Sequence, residues 1–320
     1  EAHDLELSAS VADIGMLGVP DSIQLHRGPL DTESRTLVEG HALHGHELLR
    51  DHHGRYLQLA AALALGHHER HDGSGYPQRI RGEAIPLAVR IVAVADTHLY
   101  HRELEVPDGD VFVHAGDMCR GGSLEEFGRA ARWICGLPHA VKLVIAGNHD
   151  WCFVRQAAEA RAMLVGEGVN YLEDSGVAVA GLRAWGSPWQ PEFGGWAFNL
   201  GRGAPLAEKW ALIPVGIDLL ITHGPPQGFG DRSWSAARTG CVDLRARVEL
   251  VRPRVHLFGH IHEDGGAWAH AGTTYVNCTT WECERAATVI DVDAAGRVTV
   301  DAPPARPPRR EASVDQPVRK

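Results

Sequence analysis

The spacing of apolar residues along the chain changes near residue 90. Before that point, residues 37–49 and 55–65 carry apolar side chains at helix-like intervals, which predicts helices. After it, short runs rich in Val, Ile and Leu alternate with helical stretches and glycine-containing loops, a pattern typical of buried strands. The predicted strands are Arg90–Ala95, Asp110–His114, Val141–Ala146, Val177–Ala180, Ile217–Thr222, Val255–Phe258, Thr274–Val276 and Ala287–Val292.

The clearest helix lies between the second and third predicted strands. Ser123 and Glu126 have the spacing of a capping box, and the residues after them form an apolar face: Phe127, Ala130, Ala131 and Ile134. Strand–helix–strand order predicts a layered α/β domain. We therefore expect a small all-α segment over residues 1–89 and an α/β domain over 90–300. Residues 301–320, rich in Pro and Arg, are expected to form a disordered tail.

Composition restricts the classes of function. The chain has 320 residues, which suffices for one large domain and a smaller one. No apolar run approaches the roughly 20 residues of a membrane-spanning helix, and the first residues do not resemble a secretory signal. The six cysteines form no CxxC pair, so we expect free thiols in a cytoplasmic protein and no cysteine zinc site. We expect no membrane partner.

The net charge gives a further restriction. It is −10, and the body of the chain has no long stripe of Lys and Arg. Binding to polymeric DNA or RNA is therefore disfavoured. A small phosphoester drawn in by bound cations remains compatible with an acidic protein, so the 20 histidines become the compositional feature of interest.

Five short polar segments each follow a predicted strand. Loops at the carboxyl ends of strands converge on one crevice in such sheets, so these segments should meet. Their carboxylates, amide oxygen and imidazoles suit manganese, iron or zinc. The segments are Asp96-Thr97-His98, Gly116-Asp117, Gly147-Asn148-His149-Asp150, His223 with its flanking residues, and Gly259-His260-Ile261-His262.

The spacing within these segments has a physical meaning. In Asp-x-His and His-x-His, an extended backbone places both side chains on one side, so both can reach one metal. Glycine before Asp117, Asn148 and His260 lets the backbone turn sharply and approach an ion. Two cations about 3.5–4 Å apart can hold a phosphate and lower the pKa of a bridging water. Together the segments predict a two-metal phosphoester hydrolase.

These motifs resemble the calcineurin-like metallophosphoesterase superfamily over roughly residues 90–300. The segments Gly186-Ser187-Pro188-Trp189-Gln190-Pro191, Trp196-Ala197-Phe198-Asn199-Leu200 and Thr222-His223-Gly224-Pro225-Pro226 are similar to the metallophosphoesterase-domain-containing subgroup, which is similar to class III cyclic-nucleotide phosphodiesterases. The resemblance implies a layered β-sandwich flanked by helices. It also implies activity on phosphodiesters, with cyclic nucleotides among the candidates and promiscuity toward mono- and triesters left open.

The resemblance also implies roles for individual residues. Asp96, His98 and His262 would bind a first divalent metal (Mn²⁺, Fe²⁺/Fe³⁺ or Zn²⁺), with Asp117 bridging to a second. Asn148, His223 and His260 would complete the second site. A metal-bridging hydroxide would attack phosphorus, while His149, oriented by Asp150, would protonate the leaving oxygen or stabilise the transition state. Three tryptophans either line a substrate cleft or pack in the core: Trp185, Trp189 and Trp196.

The segment before Asp96 resembles a different family, the HD-GYP domain, which hydrolyses cyclic-di-GMP on a helical scaffold. The resemblance rests on Asp13-Ile14-Gly15-Met16-Leu17-Gly18-Val19-Pro20-Asp21, His67-His68-Glu69-Arg70 and Asp72-Gly73-Ser74-Gly75-Tyr76-Pro77. The match is incomplete, because Ala12 replaces the histidine of the HD pair. Asp13, His41, His67 and His68 remain as metal-binding candidates.

Both families would use Asp96. In HD-GYP proteins the corresponding Asp lies on a helix and binds metal, whereas β-branched residues before Asp96 favour a strand here. Both families have a similar string here, Arg90-Ile91-Val92-Ala93-Val94-Ala95-Asp96, and we interpret the chain as a fusion across this shared string. The hypothesis is that the helical fragment is catalytically inactive and serves as a cap or as a homodimer surface.

Two alternatives to the phosphodiesterase remain. One is cyclic-di-GMP hydrolysis by the HD-GYP part, and the other is a non-catalytic scaffold with structural metals. The physiological substrate, the metal and the oligomeric state are not determined by the sequence, because loop shape decides substrate choice.

Overall fold

The computed structural model describes residues 11–52, 55–70, 74–79, 89–166, 168–293 and 296–303. Two compact units make up this part of the chain. One comprises the residues up to Arg90 together with 180–182 and 291–299, and the other holds 91–179, 183–290 and the residues from Val300 on. Asp72 and Gly73 of the HD-GYP-like motif, and most of the predicted tail (304–320), lie outside the described residues.

The N-terminal unit contains short helices. They are a 3-10 turn at Ile14–Gly18, α1 (Asp21–Gln24), α2 (Thr32–Glu39), α3 (His41–Leu49) and α4 (Arg55–Gly66). The helix predicted over 37–49 is therefore divided at Gly40. The 3-10 turn packs closely on α3, because a Cβ on Gly15 would lie 1.9 Å from the carbonyl oxygen of His41. The predicted helical character of this segment is confirmed for the residues that the structure describes.

The chain from Val89 on forms two six-stranded sheets. Their strands are β1 (Val89–Val94), β2 (Val111–Ala115), β3 (Val141–Ile145), β4 (Val169–Tyr171), β5 (Ser175–Val179), β6 (Leu182–Ser187), β9 (Leu219–Thr222), β10 (Val255–Phe258), β11 (Gly266–His270), β12 (Thr273–Asn277), β13 (Thr288–Val292) and β14 (Val298–Asp301), with a small ribbon of β7 (Gln190–Pro191) and β8 (Asn199–Leu200). The sheet orders are β14-β13-β1-β2-β3-β4 and β11-β12-β10-β9-β6-β5. The strands that lead to the predicted ligands, β1, β2 and β3 in one sheet and β9 and β10 in the other, pair in parallel.

The two sheets approach each other closely at two glycines, where no side chain stands between them. A Cβ on Gly186, in β6, would lie 2.7 Å from Ile145 Cγ2 in β3. A Cβ on Gly259, just after β10, would lie 2.4 Å from the Cβ of Ala95, just after β1. Any side chain at these glycines would push the sheets apart. The predicted layered α/β class is thus confirmed.

The predicted helix between β2 and β3 is present as α5 (Leu124–Gly136). Ser123 caps it, with its Oγ accepting from the amide of Glu126 at 3.2 Å. The Glu126 carboxylate turns instead to the amides of Gly121 and Gly122. The predicted apolar face is buried. The remaining helices are α6 (Cys152–Arg155), α7 (Ala157–Met163), α8 (Ala204–Ala211) and α9 (Val242–Val251), with 3-10 turns at His101–Glu103 and His262–Asp264.

The structure corrects two expectations, one about where the tail begins and one about the number of strands. The predicted tail was placed from residue 301, but β14 continues through Asp301. Several strands without a strong apolar run were not predicted, among them β11, whose exposed residues alternate with half-buried ones. The helices that the structure describes are all too short or too polar to cross a bilayer.

Candidate metal centre

The five polar segments meet at the carboxyl ends of the parallel strands. Asp96 follows β1, Asp117 follows β2 and Asn148 follows β3, all in one sheet. His223 follows β9 in the second sheet. The last segment, with His260 and His262, follows β10 in that same sheet. Side chains from both sheets therefore face a common point.

One group contains Asp96, His98 and His262, whose potential ligand atoms all lie within 4.8 Å of one another. The Oδ1 of Asp96 is 3.7 Å from His262 Nε2. Asp96 is fully buried, and His98 is nearly so. The Nδ1 of His98 lies 2.9 Å from the carbonyl oxygen of Cys119, which leaves its Nε2 directed at the group.

A second group contains Asp117, His223 and His260. The Oδ2 of Asp117 is 3.4 Å from His223 Nε2, and the Oδ1 of Asn148 is 3.0 Å from the same nitrogen. Asp117 also belongs to a group with His98 and His149, and its Oδ2 lies 3.8 Å from His98 Nε2. Asp117 thus lies between the two groups.

Four members of these groups have a left-handed backbone. The φ angles are 56° at Asp96, 42° at His98, 59° at Asp117 and 71° at His260. A non-glycine residue in this region costs about 1 kcal/mol or more, and such residues concentrate at functional sites. The surrounding fold therefore holds these side chains in directions that local preference would not choose.

Glycine permits the close approach of the loops. A Cβ on Gly147 would lie 2.3 Å from Asp117 Oδ1, and one on Gly259 would lie 2.7 Å from Asp96 Oδ2. Side chains at these positions would occupy the space of the two carboxylates. The glycines that precede Asn148 and His260 are thus required by space, since neither has a positive φ angle.

The two buried carboxylates are held ionised. Burial by itself would raise the pKa of Asp96, but the charge of His262 and its hydrogen bond outweigh burial, and the pKa is lowered. The pKa of Asp117 is lowered well below its usual value in the same way, chiefly by His223, then by His98. Buried carboxylates that stay charged favour positive charge between them.

The pKa values of His223 and His260 shift in opposite directions. Burial opposes protonation of His223, yet the neighbouring Asp117 carboxylate raises its pKa to about 9. Burial, followed by the nearby charge of His223, lowers the pKa of His260 to about 4. Imidazole nitrogens and carboxylate oxygens without thiolate form a donor set that fits manganese, iron or zinc. This donor set could hold divalent metal.

His149 lies at the edge of the groups. Its Nδ1 is 2.6 Å from the carbonyl oxygen of Arg120, and its ring stacks on Trp196 with centroids 4.0 Å apart. The ring of His98 lies 4.7 Å away on an edge contact. The imidazole is thereby fixed on three sides, and its Nε2 is left for the site.

Asp150 does not contact the His149 ring. Its carboxylate accepts hydrogen bonds from the backbone amides of Gly147 (2.8 Å), Asp117 (3.0 Å) and Cys119 (2.9 Å). It therefore joins the loop after β3 to the loop after β2. The Arg120 carbonyl that holds His149 was missed from the sequence, because a backbone oxygen has no residue signature.

The three candidate tryptophans divide between site and core. Trp196 is at the site, against His149. Trp185 and Trp189 pack on buried apolar clusters, and Trp189 Nε1 donates to Asp174 at 2.9 Å. Phe193, which the sequence did not single out, lies edge-on to His260 with centroids 6.5 Å apart. The one available signal was its place beside Gly194-Gly195 and Trp196.

The N-terminal unit has its own cluster, formed by Asp13, His41, His67 and His68. The Oδ1 of Asp13 lies 3.2 Å from Nε2 of both His41 and His67. Helix carbonyls hold the other ring nitrogens, with His41 Nδ1 2.5 Å from Val38 O. This group could hold one ion.

Two protein families match this chain, one over its N-terminal part and one over the α/β part. The profile of the HD domain family matches residues 1–108. The profile of the calcineurin-like phosphoesterase family matches residues 89–264, which includes all the predicted ligands from Asp96 to His262. The two matched ranges overlap between residues 89 and 108.

Individual relatives come from both of these protein classes. Human metallophosphoesterase domain-containing protein 1 is 43% identical over 222 residues, which cover 61% of this chain and 67% of that protein. The cyclic di-GMP phosphodiesterase response regulator RpfG of Xanthomonas campestris pv. campestris is 46% identical over 96 residues, 30% of this chain and 25% of its own. One crystal structure shares the fold at a TM-score of 0.53 and 17% identity, over 68% of this chain and 99% of its own.

Proposed function

The chain belongs to the calcineurin-like phosphoesterase family and is a metal-dependent phosphoester hydrolase, and from this premise we propose that it hydrolyses phosphodiesters at a dinuclear centre. Asp96, His98 and His262 would hold one divalent ion, and Asn148, His223 and His260 a second, with Asp117 shared. The observation that carries the proposal is the position of Asp117, which is a member of ligand groups on both sides.

The protein residues supply what the ions do not. Divalent ions acidify water and neutralise the charge that develops on phosphate. His149 would protonate the leaving oxygen from Nε2 as the phosphorus–oxygen bond breaks, since its Nδ1 is already directed at the Arg120 carbonyl. Asp150 would act on the loops rather than on the His149 ring, because it binds their backbone amides.

Chelation is the direct test of metal dependence. Treating the purified chain with EDTA is expected to lower hydrolysis of bis(p-nitrophenyl) phosphate at least about ten-fold, and Mn²⁺ re-addition should restore it. The release of p-nitrophenolate measures the rate, and elemental analysis before and after chelation counts the ions. Full activity in demonstrably metal-free protein would overturn the proposal. Bound metal without hydrolysis of any phosphoester would favour the scaffold instead.

For the N-terminal unit, we propose that the HD-type cluster does not hydrolyse cyclic-di-GMP. Two ligands of that family's pattern are missing from it. Ala12 is a buried apolar residue, and Asp96 groups with His98 and His262. The overlap of the two family matches contains Asp96, which supports a fusion across the shared string.

The double variant Asp117→Ala/His260→Ala separates the two centres. We expect it to lack hydrolysis of both bis(p-nitrophenyl) phosphate and cyclic-di-GMP. The matched variant His41→Ala/His67→Ala removes two ligands of the N-terminal cluster and is expected to keep phosphodiesterase activity within about two-fold. Liquid chromatography of the nucleotide products measures both. Cyclic-di-GMP hydrolysis that survives in the first variant and disappears in the second would assign activity to the helical unit.

A further inference from the structure

The turn between β7 and β8 carries two aromatic residues that contact the candidate centre at different points. Trp196 is half-buried and stacks on His149. Phe193 lies edge-on to His260, yet the residue is 65% exposed. Covering this open apolar ring would gain hydrophobic stabilisation.

The turn is braced against the centre rather than free. The amide of Ala197 donates to the carbonyl oxygen of Asn148 at 3.1 Å. The side chain of Asn199 donates to the carbonyl oxygen of Phe193 at 2.7 Å. Gly194 and Gly195 have φ angles of 59° and 68°, which form the tight reversal that separates the two rings. The position of Phe193 is therefore fixed relative to the Asn148 loop.

The two rings differ in the surface that they leave open to a bound substrate. Trp196 already uses a face on the His149 imidazole. Phe193 has an exposed surface next to His260, one of the three members of the second ligand group. A phosphate held at that group would carry its ester substituents into this neighbourhood. A planar substituent could stack there, whereas an alkyl substituent would cover the ring less well.

We propose that Phe193 is a specificity-determining residue that stacks on a planar aromatic substituent of the phosphoester substrate. This inference rests on the proposed function, since the phosphate of that substrate must bind at the ligand groups. The candidate substrates have in common a flat ring near the phosphate, which is either a simple aryl group or a nucleobase. Selection among substrates would then depend on the ring rather than on the phosphate.

The test compares ligands that share a phosphorus group and differ in the ring. Calorimetry on the Mn²⁺-loaded full chain would measure phenylphosphonate against methylphosphonate, and AMP against ribose 5-phosphate. Stacking contributes about 1 kcal/mol or more per ring, so the aromatic member of a pair is expected to bind about five-fold tighter or better. A preference in the phenyl pair alone identifies an aryl substituent, and a preference in the AMP pair identifies a nucleobase.

Variants assign the preference to Phe193. Phe193→Ala and Phe193→Leu are expected to abolish it while leaving methylphosphonate binding unchanged, and Phe193→Trp should restore it. Leu212→Ala, which removes an exposed apolar side chain at the end of α8, is the control and should keep the preference. Equal binding within both pairs in the wild type, or a preference that survives in Phe193→Ala, would overturn the inference. Neither result depends on turnover, so failure of the proposed hydrolysis would be seen separately with bis(p-nitrophenyl) phosphate.

Discussion

Replacing Asp117 by Asn is expected to lower kcat/KM for bis(p-nitrophenyl) phosphate by about a thousand-fold, the largest effect of any single substitution in the chain. Asp117 contributes to ligand groups with His223 on one side and His98 on the other. Asn keeps the shape of the side chain but removes the negative charge that would be shared between two cations. Metal affinity and charge stabilisation should therefore decline together.

The Asp117→Asn variant is expected to keep the native fold, so that a loss of activity reports on the metal site. The Oδ1 of Asp117 accepts from the amide of His149 at 2.8 Å, and an Asn oxygen can accept the same bond. We therefore expect a near-native circular dichroism spectrum together with reduced metal content by mass spectrometry. Asp108→Asn, at an exposed position before β2, is the matched control and should retain activity. Activity within ten-fold of wild type in Asp117→Asn would contradict a shared bridging role.

The meeting of the candidate ligands at one place was predictable because two independent signals coincide in the sequence. Each ligand segment follows a run of Val, Ile and Leu that can only be buried, and parallel strands bring such ends together. Asp96 after β1 and Asp117 after β2 illustrate this, since both appear where the apolar run stops. A short motif became informative once its place at a strand end was known.

Other features of the site have no counterpart in a linear pattern. The left-handed backbone at Asp117 and His260 is imposed by tertiary packing against local preference. The Arg120 carbonyl that positions His149 is a backbone atom that any residue would supply. Phe193 lies at the site only because the turn after β7 bonds to the Asn148 loop. Long-range contacts of this kind are determined by the folded chain.

Strands without a run of apolar residues were also not predicted from the sequence. β10 is buried along its whole length and was predicted at its observed bounds. β11 has no buried residue and contains Trp268 between two alanines, so its sequence lacks a strand signal. It forms by antiparallel pairing with β12 at the edge of the sheet. Pairing with a neighbour, rather than its own composition, determines that element.

Replacing His149 by Ala is expected to reduce kcat by about a hundred-fold on a diester with a poor leaving group, such as a phenyl ester. On the p-nitrophenyl ester the loss should be smaller, because a good leaving group departs without protonation. The reason is the position of the ring, which the Arg120 carbonyl holds through Nδ1 and Trp196 holds through stacking. Nε2 is then the ring nitrogen that could donate a proton to the leaving oxygen.

The dependence on leaving group distinguishes proton donation from a general loss of structure. A structural defect would lower kcat for both esters by the same factor, whereas loss of a proton donor lowers it more for the poorer leaving group. Added imidazole should restore part of the phenyl-ester activity, because removal of the ring leaves a slot between Trp196 and His98, the two rings that His149 contacts. His270→Ala, at a half-exposed ring on β11, should leave both rates unchanged. Equal losses on the two esters without imidazole rescue would assign His149 to transition-state charge or to loop structure, and would remove it as the proton donor.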